Sequence, residues 1–203
     1  MRNKETKKEK TSFEYEVYTL LHDFAWILAV VTILFVFVVR LVGVDGSSMF
    51  PTLYDHDYLL LRSNVIDHSY DRGDIVVLKV PYFEDRPIVK RVIATEGQTV
   101  DIDFTAGTVA VDGTVLEEPY TLEPTYLYYE PGLDYPVTVD EGCVFVMGDN
   151  RNHSTDSRLA DVGMVDTRYI MGTVFFRGFP GKTTDIYGNV IGGRDFSRIG
   201  TVK

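Results

Sequence analysis

Two adjacent serines, Ser47 and Ser48, lie in the short stretch Gly46–Leu53, a few residues beyond a long apolar run. Gly46 lets other groups approach the backbone closely, and Pro51 fixes one backbone angle just after the two hydroxyls. A serine held in such a stiff turn can act as a nucleophile, but it attacks poorly without a base within hydrogen-bond reach. The alternative interpretation is that both serines only shape a turn.

A candidate base lies in the strand-like segment Ile88–Ala94, since the sequence offers no convincing Ser-His-Asp set. Alternation along this segment places Lys90 on a face with three apolar side chains, those of Ile88, Val92 and Ala94. Burial among apolar atoms lowers the pKa of a lysine, because it penalises the charged form. Arg91 could not serve, because arginine stays protonated. Lys79 is the alternative base, and either lysine could instead be a solvated side chain on an edge strand.

A third polar cluster, Gly148–Arg158, follows the apolar segment Cys143–Met147. Alone, such a run indicates a loop with local side-chain hydrogen bonds. Beside a buried lysine it can do more, because a hydroxyl such as that of Ser154 can aim the amine at a nucleophile. Asp156 and Arg158 can pair and hold the loop, although an exposed pair would contribute only about 0–1 kcal/mol.

The composition of the chain argues against several classes of function. A formal net charge of −10 over 203 residues disfavours a nucleic-acid partner, which would need a basic face. The single cysteine, Cys143, cannot form an intramolecular disulfide, and its apolar surroundings favour a core thiol. The histidines are scattered without zinc-ligand spacing, so neither a metal site nor a cofactor is expected.

An uncharged apolar run from Phe24 to Val39 is a little short of the ~20 residues that span a bilayer as a helix. Its neighbours can extend it, with Arg40 snorkelling to the interface. The run has no polar stripe and no Ala-x-Ala site follows it, which argues against a core helix and a cleaved signal peptide. Lysine and arginine crowd residues 1–10, which predicts a cytoplasmic N-terminus. The predicted segments are a cytoplasmic arm at 1–22, a transmembrane anchor at 23–42 and an extracytoplasmic domain at 43–203, with a small insert at about 101–140.

The chain beyond Val42 is predicted to form a mainly β domain, because short segments rich in Val and Ile follow one another at regular spacing. These segments are Tyr58–Arg62, Ile75–Val80, Ile88–Ile93, Thr99–Asp103, Thr108–Val111, Cys143–Met147 and Gly172–Phe176. Asp112 and Gly113, between two of them, are a strong hairpin signal. The segment Glu117–Asp140 is interpreted as a long surface excursion, and the tail Gly181–Lys203 as loose.

Four segments together resemble the motifs of the bacterial type I signal peptidases, the membrane-bound Ser-Lys proteases that remove signal peptides. Gly46–Leu53 resembles their Ser-Met-x-Pro-Thr-Leu nucleophile motif, and Val89–Val92 resembles the general-base motif. Gly73–Val77 resembles a structural motif, and Gly148–Arg158 resembles the last motif of the family. One such match would be weak, but four in order behind an N-terminal anchor are specific.

The resemblance implies a role for each matching residue. Ser48 would be the nucleophile and Lys90 the general base, with Ser154 orienting the lysine. Asp156 and Arg158 would support the loop. The substrate-binding residues that it implies are Val44, Met49, Leu53, Ile88 and Val89.

The fold implied by the resemblance is mainly β, with packed antiparallel sheets of the signal-peptidase type behind one N-terminal transmembrane helix. The implied partners are signal-peptide-bearing preproteins and membrane lipid, with the export translocon as a further candidate, and no nucleic acid. Gly46 stands where larger members of the family carry a serine, so the Ser48 backbone N–H is the expected contact for the oxyanion. Two alternatives stay open: a self-cleaving Ser-Lys protease of the repressor type, and a non-enzymatic membrane-tethered β module.

Overall fold

The computed structural model describes residues 2–65, 68–83 and 86–202. The chain divides into two compact units, Met1–Val39 and Arg40–Lys203. The first unit is the helix α1 (Arg2–Ile33), which continues as a π-helical turn, Leu34–Val38.

The apolar part of α1 is long enough to cross a membrane. Its 21 residues from Phe13 to Ile33 extend about 31 Å at 1.5 Å per residue, close to the ~30 Å of a hydrocarbon core. The chain is already a strand from Val39, so residue 42, the predicted end of the anchor, lies outside the helix. Side chains of residues 1–12, which include the predicted basic flank, lie outside those described.

The described residues contain fourteen strands. They are β1 (Val39–Gly43), β2 (Tyr58–Ser63), β3 (Ile75–Leu78), β4 (Ile88–Thr95), β5 (Thr99–Asp103), β6 (Thr108–Val111), β7 (Thr114–Val115), β8 (Val137–Thr138), β9 (Cys143–Met147), β10 (Val165–Asp166), β11 (Ile170–Phe179), β12 (Lys182–Thr184), β13 (Val190–Arg194) and β14 (Gly200–Thr201). Each of the seven predicted strand segments coincides with one of these strands or lies largely within it. The prediction of a mainly β fold is therefore confirmed.

The main sheet has the strand order β1-β2-β11-β3-β4-β9-β10, and β14 adds to β11. Its pairings are antiparallel from β2 through β10. The central strands are covered on both faces, since β3 is buried throughout and β4 is buried at all but its two end residues. A lysine on β4 is therefore held away from water.

The alternation predicted for β4 holds only over its first half. Val92 and the half-buried Ile88 pack in one apolar cluster, whereas Ala94 packs in another together with Ile93. The register against β9 shifts between Val92 and Ala94. Such a bulge sets two residues opposite one and ends the simple alternation. The prediction that Ala94 shares the face of Lys90 and Val92 is therefore wrong.

A second sheet, in the order β7-β6-β5-β8, lies largely in the region 101–140 that was predicted as a small insert. Its apolar face packs on the main sheet through a cluster that joins Val100 and Val109 to Phe145 and Met147. Asp112 and Gly113 have positive φ angles of 51° and 76°, as a two-residue type I′ turn requires. The predicted hairpin is confirmed as β6-β7.

The tail is ordered, so its interpretation as loose is wrong. The strands β12 and β13 pair as a hairpin, and β14 pairs with β11. The fully buried carboxylate of Asp57 accepts hydrogen bonds from Arg198 Nη2 at 3.1 Å and from the Gly181 amide at 2.6 Å. Arg177 Nη1 lies 3.4 Å from the same carboxylate. A buried acid surrounded by arginines thus anchors a segment that has little apolar content.

Candidate active site

Ser48 lies in the loop that joins β1 to β2, and two apolar residues of this loop anchor it to the core. Met49 and Leu53 are 1% and 0% exposed and belong to the core cluster beneath the loop. Gly46 has a φ angle of 91°, which favours glycine, and its amide donates to Asp55 Oδ1 at 2.9 Å. The serine is therefore held by packing on one side and by a tight turn on the other.

Lys90 is the side chain that meets Ser48. Its Nζ donates a hydrogen bond to Ser48 Oγ at 2.8 Å. Lys90 pairs with Val76 of β3 in the middle of the sheet and is only 3% exposed. The two residues predicted to act together are thus within direct hydrogen-bond reach, although 42 positions separate them in the chain.

Burial lowers the pKa of Lys90 from 10.5 to about 8. Its charged neighbours oppose one another, because Asp156 and Asp149 raise the pKa whereas Arg158 lowers it. Desolvation is the largest cause, since the charged amine loses its water shell in the sheet. The amine therefore loses its proton at a pH about 2.5 units lower than an exposed lysine does.

The loop that follows β9 carries the third predicted cluster and is buried along much of its length. Asp156 and Arg158 form a fully buried pair, with Arg158 Nε 2.8 Å and Nη2 2.9 Å from the carboxylate. Ser154 Oγ donates to Asp156 Oδ2 at 2.8 Å, and the Gly148 amide donates to the same oxygen at 2.9 Å. The predicted orienting hydroxyl thus bonds to the carboxylate, whose charge acts in turn on Lys90.

Gly148 packs between the two serine segments. A Cβ atom added at Gly148 would overlap both the Ser154 side chain and the Ser48 carbonyl oxygen. The same Ser48 carbonyl accepts a hydrogen bond from the Asn150 amide at 3.0 Å. A glycine at this position therefore allows the loop after β9 to lie directly against the residue that carries the candidate nucleophile.

The sequence did not reveal a second buried ion pair beneath the site. Arg91, next to Lys90 on β4, donates to both oxygens of Asp149 at 2.8 and 2.7 Å, and the two side chains are 2% and 0% exposed. Thr52 Oγ1 donates to Asp149 Oδ2 at 2.5 Å. The only sequence signal was an arginine within an apolar strand, since a buried arginine needs an acidic partner. This pair ties β4 to the Ser48 loop.

Ser47 faces a different part of the molecule. Its carbonyl accepts a hydrogen bond from Asn150 Nδ2 at 3.0 Å, and its Cβ lies beside Gly188 in the turn between β12 and β13. Asn150 Nδ2 also donates to the Ile186 carbonyl at 2.8 Å. The two adjacent serines thus differ in surroundings, and Ser48 is the one that meets the lysine.

The five residues predicted to bind substrate separate into two groups. Val44, Met49, Leu53 and Val89 belong to one core cluster, whereas Ile88 packs against another. Met49 and Leu53 have almost no exposed surface, so they support the loop rather than line an open pocket. Val44 and Val89 are also buried, with only 5% and 7% of their surface exposed, so the half-buried Ile88 offers the most surface for contact among the five.

One edge of β4 lies open beside the Ser48–Lys90 pair. The strand β3 pairs with Ile88–Arg91, but β9 pairs with β4 only from Arg91 onwards. Among the strands that the structure describes, the segment Ile88–Lys90 therefore has a partner on one side alone. An extended peptide could pair with this edge and bring its carbonyl carbon to Ser48.

Comparison with known proteins gives consistent matches. A family model described as signal peptidase, peptidase S26, matches residues 17–179. A probable signal peptidase I-1 of Synechocystis sp. is 39% identical over 146 residues, covering 68% of this chain and 69% of that protein. Signal peptidase I S of Bacillus subtilis is 32% identical over 189 residues, covering 89% of this chain and 96% of that protein. A crystal structure of a signal peptidase I from Enterococcus faecalis aligns with a TM-score of 0.43 at 29% identity, covering 52% of this chain and 96% of that chain.

Proposed function

The chain belongs to the signal peptidase family, peptidase S26, and on this premise we propose that Ser48 and Lys90 are its catalytic pair. A member of this family is a serine endopeptidase that cleaves signal peptides from preproteins. This membership decides against the repressor-type protease and the non-enzymatic module. The observation that carries the proposal is the 2.8 Å hydrogen bond between Ser48 Oγ and a lysine amine that the sheet keeps out of water.

Acylation follows from this geometry. Neutral Lys90 takes the proton of the Ser48 hydroxyl as Oγ attacks the carbonyl carbon of the scissile bond. The resulting ammonium then gives its proton to the leaving amine as the C–N bond breaks, which leaves an ester between the signal peptide and Ser48. Lys90 is neutral again at this point and can take a proton from the water that hydrolyses the ester.

The oxyanion of the tetrahedral intermediate needs a hydrogen-bond donor. Gly46 supplies no side chain, and the amide of Ser48 has no acceptor among the residues that the structure describes. We assign this amide to the oxyanion, because a donor already fixed in place costs no reorganisation during the reaction.

Ser154, Asp156 and Arg158 support the pair in this proposal. The Asp156 carboxylate is bound by Arg158 and by the Ser154 hydroxyl. Its negative charge favours the ammonium form of Lys90, which is the form that follows proton transfer. The substrate lies extended along the edge Ile88–Lys90, in contact with Ile88 and with the small exposed parts of Val44 and Val89. Met49 and Leu53 support the Ser48 loop from the core.

The pH dependence of cleavage tests the role of Lys90. We expect kcat/KM for a preprotein to rise about tenfold per pH unit at low pH and to level off above a pKa of about 8. The measurement uses full-length protein in detergent or vesicles, with N-terminal sequencing of the mature product. A rate that keeps rising until pH 10, as for an exposed lysine, would contradict the assignment.

The chain carries an N-terminal helix suited to membrane anchoring, and we propose a single-pass topology. The N-terminal arm lies in the cytoplasm and the β domain outside, as the basic residues at 1–10 favour. Membrane lipid and the export translocon are further proposed partners, because substrates arrive at this surface.

Protease treatment of spheroplasts tests this topology. Added protease should digest the β domain and spare the arm at 1–22, detected with antibodies to each segment. Disruption of the spheroplasts with detergent should expose the arm and serves as the control. Protection of the β domain in intact spheroplasts would contradict the proposed orientation and place that domain in the cytoplasm.

A further inference from the structure

A segment of the insert wraps around the outside of the loop that supports Lys90. We call residues 118–129 the strap and residues 148–158 the base loop. The strap has no regular secondary structure, and it follows β7 and precedes β8. It contacts the base loop at four positions, Arg151, Asn152, Ser154 and Arg158.

The first contact is an ion pair between a buried arginine and a half-buried glutamate. Arg151 of the base loop donates to both carboxylate oxygens of Glu118 at 2.6 and 2.5 Å, and the arginine side chain is 1% exposed. Arg151 Nε also donates to the Gly148 carbonyl at 3.2 Å. Tyr120, two residues along the strap, covers the guanidinium of Arg91 at 4.0 Å from its ring centre. The strap therefore reaches the residue next to Lys90.

The second contact pairs one side chain with the strap backbone. Asn152 Oδ1 accepts hydrogen bonds from the amides of Tyr126 and Leu127, each at 3.0 Å. Asn152 Nδ2 donates to Glu123 Oε2 at 2.9 Å and to the Pro124 carbonyl at 3.1 Å. A single asparagine thus fixes the middle of the strap to the base loop through four hydrogen bonds.

The third contact lies directly behind Ser154. The Tyr129 hydroxyl donates to the Ser154 carbonyl oxygen, and the Tyr129 ring lies 5.6 Å from the Arg158 guanidinium. Arg158 Nη1 also reaches the Leu127 carbonyl at 3.3 Å. Burial raises the pKa of Tyr129 above its ordinary value, so its hydroxyl stays protonated throughout the neutral range.

These contacts matter because the base loop presents the groups that surround the lysine. Asp156, Arg158 and Asp149 are the charges that act on Lys90, and all three lie on this loop. Gly148 of the same loop packs against both the Ser154 side chain and the Ser48 carbonyl. The inner side of the loop faces the reacting groups, and its outer side is held by the strap.

We propose that the strap is a positioning element for the catalytic base. Through Glu118 and Tyr129 it holds the outer side of the base loop. The base loop in turn excludes water from Lys90 and keeps its amine within hydrogen-bond reach of Ser48. The inference rests on the proposed roles of Ser48 and Lys90. Tyr129 forms no hydrogen bond with either residue, so it acts through the base loop, by its hydroxyl on Ser154 and its ring beside Arg158.

The test compares Tyr129→Phe with Tyr126→Phe in the full-length protein. Both changes remove one hydroxyl from the strap, but the Tyr126 side chain is 54% exposed, whereas the Tyr129 hydroxyl holds the Ser154 carbonyl. The ring of residue 129 remains over Arg158 in the variant. The readout is kcat/KM for a preprotein across pH 6 to 10, together with the melting temperature of each variant.

Tyr129→Phe should raise the pKa of the acid limb by about half a unit or more, because a looser base loop admits water to Lys90. Activity at pH 7 should fall about three- to tenfold and recover at high pH, since each unit of upward shift removes tenfold of the neutral amine. Tyr126→Phe should leave the profile unchanged. A Tyr129→Phe profile that superimposes on the wild-type one, with or without a lower melting temperature, would overturn the proposal.

A second pair of variants covers the case in which Tyr129→Phe does not fold. Glu118→Gln removes the negative charge that pairs with Arg151. Glu117→Gln makes the same change at the exposed neighbouring residue and serves as the control. Only Glu118→Gln should shift the acid limb upward. If the pH profile of Glu118→Gln is unchanged, and Ser48→Ala abolishes cleavage in the otherwise wild-type protein, only the positioning role of the strap is overturned. Cleavage by a Ser48→Ala variant would instead contradict the proposed function.

Discussion

Ser48→Ala is expected to abolish preprotein cleavage, with a loss of about 10⁴-fold or more, as for other nucleophilic serines. Ser48 Oγ is the hydroxyl within 2.8 Å of the Lys90 amine, and alanine offers no atom that can form the ester. The protein should still fold, because one hydroxyl contributes about 0.5–1.5 kcal/mol through its hydrogen bond. Cleavage is measured by single-turnover assay, and folding by thermal denaturation.

Ser47→Ala is the matched control, since it makes the same change one residue away. The Ser47 carbonyl, which accepts the Asn150 hydrogen bond, remains in this variant, and the lost hydroxyl faces Gly188 rather than Lys90. Most of the activity should therefore be retained. If Ser47→Ala were inactive and Ser48→Ala active, the nucleophile would lie one residue earlier than proposed.

Local patterns sufficed to predict the strands and the turn of the hairpin β6-β7. Val- and Ile-rich segments became β5, β6 and β9 with the predicted bounds, because apolar alternation and turn residues act over a few positions. The pairing of Ser48 with Lys90 spans 42 positions, and no local pattern contains it. The resemblance to a family supplied that prediction.

The misread tail and the unpredicted ion pairs share one physical cause, which is burial of charge through long-range contacts. The tail looked loose because it is polar, yet Arg198 reaches Asp57 across 141 positions. The ion pairs Arg91–Asp149 and Arg151–Glu118 are likewise formed between distant segments. A charge in the sequence is normally read as solvated, and only the three-dimensional partner reveals that it is buried.

Lys90→Met is expected to give an enzyme that is inactive yet more stable than the wild type. Methionine fills a similar volume without an amine, so no group can take the proton of Ser48. The pKa of Lys90 falls from 10.5 to about 8 on folding, which corresponds to roughly 3 kcal/mol of unfavourable burial at neutral pH. Activity is measured on a preprotein, and the free energy of unfolding by denaturant titration at several pH values.

The lowered pKa of Lys90 makes the free energy of unfolding depend on pH. Above pH 10.5 the amine is neutral in both states, so its burial costs nothing of this kind. As the pH falls from 10.5 to about 8, the unfolded chain binds the proton and the native chain does not. Wild-type stability should therefore decrease over this window and level off below pH 8, whereas Lys90→Met should lack this slope.

Lys79→Met provides the control for this experiment, because Lys79 is exposed and lies just beyond β3. It should keep both the activity and the pH-dependent slope of the wild type. Retained cleavage in Lys90→Met would remove Lys90 from the mechanism. A variant that is inactive but shows the wild-type slope between pH 8 and 10.5 would mean that Lys90 is charged in the native protein, which a general base in the resting enzyme cannot be.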